Sequence, residues 1–158
     1  MISARVDPTA AIARLGALAD SLRSGVRALV GDGAARLYAL VEAKLSGEVL
    51  HARSGALARS IRIETNEDAD GIGARVFGDG SVPYARIQEF GGRIAVPEIA
   101  AVNAKALAFV YGGRMQFARH TAAHVVDIPE RSYMRSSLAE FENGFVDDVR
   151  ELATECLA

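Results

Sequence analysis

The stretch Tyr84-Ala85-Arg86-Ile87-Gln88-Glu89-Phe90-Gly91-Gly92 lies at the centre of the pattern that decides the fold. It predicts a short amphipathic helix, because Ile87 and Phe90 are three residues apart and share one helical face. The two glycines can end this helix in a left-handed C-cap, so we expect a positive φ at Gly91 or Gly92. We interpret the stretch as a structural hinge rather than a catalytic element.

Helical periodicity flanks this centre on both sides. Before it, apolar residues recur every three or four positions from Asp7 onward, and Gly31-Asp32-Gly33 interrupts them, which predicts a second helix or a kink. After it, Ser132 can cap a last helix that we expect to lie on a sheet as the main cover of the core. The apolar face of that helix consists of Leu138, Phe141, Phe145, Val149, Leu152 and Cys156.

Period-two alternation predicts strands between the helices. Ile61 and Ile63 begin a hairpin that returns through residues 72–76, and short strands follow near 93–96 and 107–111. Gly112-Gly113 favours a tight turn into Met115 and Phe117, while from Ala118 to Asp127 the pattern weakens and predicts a loop or arm. The fold class is therefore α+β, with one mostly antiparallel sheet of about four or five strands packed against N-terminal and C-terminal helices.

The 158 residues fit a single α+β domain. We divide it into a helical part (1–51), a sheet with a central short helix (52–127, with a possible arm at 112–127) and a C-terminal helix (128–158). No apolar run approaches the roughly 20 residues that span a bilayer, so we expect no membrane partner and synthesis in the cytoplasm.

The net charge of −2 conceals a strong segregation of charge along the chain. Residues 1–63 carry a net +4, residues 64–79 carry −4, residues 80–138 carry +3 and residues 139–158 carry −5, which sum to −2. Such blocks form either solvated faces or complementary surfaces between copies of the chain. The low net charge argues against a general nucleic-acid binder.

The sequence contains no recognisable catalytic or cofactor motif, so we predict a protein that is not an enzyme and needs no cofactor. His120 and His124 are four residues apart, but no third ligand stands at a fixed spacing, and we predict no metal site. Cys156 is the single cysteine and lies on an apolar helical face, which is typical of a packed side chain.

Three blocks, taken in order, resemble the tail-completion or head-tail joining proteins of lambda-like siphophages and the related virion-morphogenesis proteins of Mu-like phages. They are Ser54-Gly55-Ala56-Leu57-Ala58-Arg59-Ser60-Ile61, the stretch 84–92, and Ile128-Pro129-Glu130-Arg131-Ser132-Tyr133-Met134-Arg135. Ser132 and Met134 stand where this family usually has proline and leucine.

The resemblance implies a structural virion protein that forms a ring, hexameric in the family, at the head-proximal end of a phage-like tail tube. Its implied partners are further copies of itself, the head-tail connector, and the tail-tube or tail-terminator proteins, with DNA passing through the ring without sequence-specific binding. The particle is a phage, a defective prophage or a gene transfer agent. Alternatives are a tail terminator, a head-closure protein or a small nucleic-acid-binding module.

The same resemblance nominates residues for the structural motif or the subunit interface. They are Ser54, Gly55, Leu57, Tyr84, Glu89, Phe90, Gly91, Gly92, Pro129, Arg131 and Tyr133. We further predict that Tyr84, Phe90 and Tyr133 anchor the fold or a subunit contact, at a cost of about 3 to 5 kcal/mol for Phe90→Ala if Phe90 is buried. A partner-contact arm would use Arg114, Met115, Phe117, Arg119 and His120.

Overall fold

The computed structural model describes residues 8–48, 55–69, 71–102 and 104–157. These residues form two compact units. The helical unit comprises the described residues up to Ala85 together with those from Ser132 onward, and the ribbon unit comprises Arg86–Arg131. The α+β class with antiparallel strands is confirmed, but the described strands form four two-stranded ladders rather than one sheet. Whether the two units behave as a single domain stays a prediction.

The helical unit begins with a long helix, α1 (Thr9–Ala43). The expected break at Gly31-Asp32-Gly33 is wrong, because the helix continues through all three residues. Close packing accounts for the glycine at position 33, since a Cβ there would lie 2.8 Å from Cε2 of Phe145. A π-helical turn (Lys44–Glu48) follows. Within it, Gly47 has φ 155°, which departs from helical backbone geometry. The expected N-cap, Asp7, lies outside the described residues.

Helix α2 (Ala56–Arg59) leads into the predicted hairpin, which consists of β1 (Ile61–Glu67) and β2 (Ile72–Gly78). The two strands pair antiparallel from Ile61 opposite Gly78 to Glu67 opposite Ile72. Helix α3 (Ala85–Phe90) begins at Ala85, the last residue of the helical unit before the ribbon unit starts. Helix α4 (Tyr133–Leu157) starts directly after Ser132, as predicted.

Helix α4 packs along α1 rather than on a sheet, which corrects the expected position of its apolar face. Leu152 lies against Gly25, and Phe145 and Phe141 lie against Gly33, so the two glycines allow the helices to approach closely. Phe141 and Phe145 stack on each other with ring centroids 5.1 Å apart. The stripe of α1 beyond this contact stays exposed, including Ile12, Leu15, Leu18 and Leu22.

Ion pairs join the charge blocks within the helical unit. Glu67 on the hairpin accepts hydrogen bonds from Arg23 and Arg27 of α1, each at 2.8 Å. Arg36 pairs with Asp148, and the buried Lys44 pairs with Glu140 at 2.9 Å. The basic first block is thus partly neutralised by the second and fourth blocks of the same chain.

The ribbon unit contains six strands, β3 (Gly92–Val96), β4 (Ile99–Ala100), β5 (Leu107–Tyr111), β6 (Arg114–Ala118), β7 (His120–Thr121) and β8 (His124–Ile128). They pair as nested antiparallel ladders, β3 with β8, β4 with β7 and β5 with β6. The predicted tight turn joins the last pair, with φ 60° at Gly112 and 77° at Gly113, as in a type I′ hairpin. The segment after Ala118, whose weak alternation predicted a loop or arm, therefore contains two strands, β7 and β8.

No helix in the described part of the chain is long and apolar enough to cross a membrane.

The close approach of α1 and α4 predicts opposite effects of alanine at two glycines of the same helix. Gly33→Ala should lower the free energy of unfolding by about 1 to 3 kcal/mol, because the new methyl group overlaps the Phe145 ring. Gly31→Ala is the matched control, since its Cβ would have no neighbour within 4 Å. It should raise stability by up to about 1 kcal/mol through helix propensity. Denaturant titration measures both, and equal effects of the two variants would contradict the packing role of Gly33.

The ion pairs of Glu67 predict a pH dependence. Hydrogen bonds from Arg27 and Arg23 lower the pKa of Glu67 from its ordinary 4.5 to about 2. The stabilisation is therefore complete above pH 4.5 and is lost as the pH falls towards 2. Thermal unfolding should show Glu67→Gln less stable than the natural chain at pH 6, with a smaller difference at pH 3. In an Arg23→Gln/Arg27→Gln background this change with pH should vanish, whereas a difference independent of pH would contradict the assignment.

Candidate subunit interface

The first and third sequence blocks meet in the core of the helical unit. Leu57 and Ile61 from the first block and Tyr133 from the third are buried in one cluster with Val41 and Leu45. Gly55 opens α2 with φ 65°, which is the left-handed region that favours glycine. The predicted anchoring role of Tyr133 agrees with its burial, and Ser54 lies outside the described residues.

The second and third blocks meet within the ribbon unit, at a junction that we call the ribbon base. The Arg131 N–H donates to the Gln88 carbonyl at 2.9 Å, and Gly92 is opposite Ile128 in the β3–β8 ladder. A Cβ on Gly91 would lie 2.7 Å from the Glu130 nitrogen. The backbone of the second block therefore passes directly against the segment that follows Pro129.

Both glycines at this junction have positive φ, which confirms the prediction from the sequence. Gly91 has φ 66° and Gly92 has φ 148°. The left-handed conformation ends α3 and turns the chain into β3, so this pair of residues sets where the first strand of the ribbon unit begins.

The expected apolar face of α3 is not the face that is buried. Phe90 is 56% exposed and Tyr84 is also exposed, whereas Glu89 is only 5% exposed. The cost predicted for a buried Phe90 therefore does not apply. A role of Tyr84 and Phe90 in contacts between subunits stays a prediction, and it agrees with their exposure.

The outer pair of strands, β5 and β6, forms what we call the ribbon tip. Residues opposite each other in an antiparallel pair share a face, so the register places Ala108 with Phe117 and Val110 with Met115. This face, which we call the apolar tip face, carries no polar side chain. Val110 is 68% exposed, Met115 is 59% and Phe117 is 71%. The opposite face carries Leu107, Phe109, Tyr111, Arg114, Gln116 and Ala118.

Alternation along the sequence groups these residues by strand and does not show their division between two faces. Leu107, Phe109 and Tyr111 alternate in one strand, but Met115 and Phe117 lie on the other side of the ribbon. Val110, which lies opposite Met115, was not among the predicted contact residues. The two-residue glycine turn could have indicated it, because that turn determines the register of the hairpin.

The charges of the nominated arm are not neutralised nearby. Arg114 and Arg119 make no ion pair within the described residues, and residues 104–121 contain three basic and no acidic side chains. His120 and His124 lie on β7 and β8 rather than on one helix, and His124 Nδ1 is 3.0 Å from the Ala122 carbonyl. Among the described residues, no group of three or more His, Cys, Asp or Glu side chains could hold a metal ion.

The ribbon base predicts that Gly91 is more sensitive to substitution than a glycine of the same conformation elsewhere. Gly91→Ala combines a left-handed φ with overlap at the Glu130 backbone, whereas Gly112→Ala has a similar φ and no neighbour within 4 Å. The strain alone costs about 1 to 2 kcal/mol, and Gly91→Ala should cost more. Hydrogen exchange of the β3 and β8 amides should become faster only in Gly91→Ala. Equal protection in the two variants would contradict the contact.

Comparison with known proteins identifies the family. The family model HK97-gp10_like, described as "Bacteriophage HK97-gp10, putative tail-component", matches residues 9–91. Neither the curated proteins nor the solved structures yield a match. The family match covers α1, the β1–β2 hairpin and α3, so it includes the first sequence block and all but the last residue of the second. The chain thus belongs to the HK97-gp10-like family of bacteriophage tail components.

Proposed function

We propose that this tail component is a tail-completion or head-tail joining protein that forms a ring at the head-proximal end of the tail tube. The exposed apolar tip face is the observation that carries the proposal. A contiguous apolar surface on a two-stranded ribbon is typical of a contact site for another protein, because such a ribbon gains little stability by itself.

The nested ladders of the ribbon unit are compatible with contact to another protein chain. Each strand of the ribbon unit has one paired edge and one edge without a strand beside it among the described residues. Free edges are templates for pairing with another chain. The ribbon would contact the neighbouring copies and the connector or tube proteins, and DNA would pass through the ring without sequence-specific binding.

The helical unit supports a scaffold role. Its core joins three distant segments, and its ion pairs link α1 to the hairpin and to α4. A scaffold of this kind presents the same helical surface in every subunit, as a closed ring requires.

Truncating the ribbon tests the proposal. Replacing residues 97–123 with Asn-Gly places a two-residue turn directly after the Val96–His124 pair and removes β4 to β7. The helical unit should unfold at an unchanged midpoint, because its core cluster contains no ribbon residue. Particles made with this variant should contain separate heads and tails, seen by electron microscopy.

A matched control keeps the ribbon and changes only its turn. Gly112→Asn fits the left-handed φ of 60° and should give normally joined particles. Joined particles from the truncated chain would contradict the joining role. Unfolding of the truncated chain would show that the ribbon belongs to the core. Labelling of the natural chain anywhere other than the head-tail junction would contradict its proposed place.

A further inference from the structure

We propose that the apolar tip face of one copy docks on helix α4 of a second copy, in the groove between α1, β2 and α4. The inference takes from the proposed function only that copies of the chain assemble with one another. It adds which two surfaces meet, and it makes the contact heterologous, because each copy contributes a ribbon to one neighbour and a groove to the other.

The groove is an apolar cavity of about 310 Å³ in the helical unit. Small residues form part of its lining, including Gly33, Ala34, Gly73 and Ala74. Larger apolar side chains of the two helices line it as well, namely Val30, Leu37, Leu138, Phe141 and Phe145. Its volume is at the lower end of protein pockets that bind ligands, so it suits one or two large side chains.

Helix α4 presents an exposed apolar strip beside this groove. Leu138, Val146 and Val149 are all exposed, and Leu138 also lines the groove. Steps of four and three residues place them with Glu142 on one side of the helix. Glu142 is exposed and makes no ion pair with any residue that the structure describes.

Charge complementarity identifies a second copy as the occupant. Helix α4 has six acidic and two basic residues, a net −4, whereas residues 104–121 have a net +3. The acidic Glu142 lies within the apolar strip. Arg119 follows Phe117 of the apolar tip face by two residues, whereas Arg114 lies on the opposite face of the ribbon tip. Matching an apolar centre with opposite charges at its edge gives an interface both affinity and orientation.

The other ion pairs support this selection. Arg36 and Lys44 already pair with Asp148 and Glu140, and Glu67 pairs with both Arg23 and Arg27. Arg119 near the ribbon tip and Glu142 on α4 have no such partner among the described residues, so pairing them between copies breaks no existing ion pair.

Cross-linking between two single-cysteine populations tests the contact. In a Cys156→Ser background, purified Met115→Cys chains are mixed with Leu138→Cys chains and treated with a short bis-maleimide. The expected product is a dimer linked between positions 115 and 138, identified by mass spectrometry. Because docked thiols react at a high effective concentration, its yield should exceed that of the control by about tenfold or more.

Gln116→Cys mixed with Leu138→Cys is the matched control, since Gln116 is the next residue and lies on the other face of the ribbon. Equal yields in the two mixtures would overturn the proposal. So would a 115–138 link formed only within single chains of a Met115→Cys/Leu138→Cys variant, which would mean that the ribbon covers its own groove.

Charge reversal gives an independent measurement. Arg119→Glu or Glu142→Lys should each weaken self-association by roughly tenfold, because like charges would then meet at the contact. Arg119→Glu/Glu142→Lys in one chain should restore it. Glu155→Lys changes the net charge equally outside the strip and should have no effect. Loss of association in Glu155→Lys, or no restoration in the double variant, would overturn the pairing.

The outcomes separate this inference from the proposed function. If particles contain the chain at the head-tail junction but the 115–138 link does not form, the docking is wrong and the joining role stands. If the link forms but the chain is absent from that junction, the docking stands and the joining role is wrong.

Discussion

Burial of Tyr133 is the interaction on which the rest of the structure depends. The ring is packed in the core cluster with Val41 at the end of α1, Leu57 on α2 and Ile61 at the start of β1. Burying each such side chain contributes about 1.5 to 3 kcal/mol before entropy is counted. Because Tyr133 is also the first residue of α4, its position decides where that helix begins and hence how it runs along α1.

Charged side chains of the described residues fall into those with an ion-pair partner and those without one. The helical unit uses opposite charges to hold the hairpin and α4 on α1, through Glu67, Asp148 and Glu140. Exposed ion pairs of this kind contribute little stability one by one, so their main effect is on register and orientation. The ribbon tip carries Arg114, and Arg119 follows it directly; neither has an ion-pair partner among the described residues. Its apolar face is exposed, and exposed apolar surface of this kind is the basis for the proposed contact with another protein.

Glycine determines where α3 ends and β3 begins. At Gly91 the backbone is left-handed and lies against Glu130, so conformational freedom and lack of a side chain are both required. At Gly33 only the lack of a side chain matters, because the residue is helical and faces Phe145. The same residue type thus ends one helix and allows another to pack closely, and its surroundings decide which.

The sequence by itself determined the α+β class, the β1–β2 hairpin, the turn at Gly112-Gly113, the left-handed glycines after α3 and the start of α4. These features depend on local periodicity or on the backbone freedom of glycine, both of which can be read within a few residues. Gly31-Asp32-Gly33 was misread as a break, since local propensity contains no information about the Phe145 ring. The exposure of Phe90 and the burial of Glu89 could not be predicted either, because a six-residue helix has little periodicity of its own.

Only the tertiary structure decided how the strands pair and what α4 covers. Strands β7 and β8 are stabilised by partners in β4 and β3, which lie twenty or more residues away in sequence, and their own alternation is weak. The apolar tip face likewise required the register of β5 and β6, because the side of a ribbon to which a residue belongs is set by its cross-strand neighbour. Long-range pairing and packing supplied these contacts, and short-range sequence patterns do not encode them.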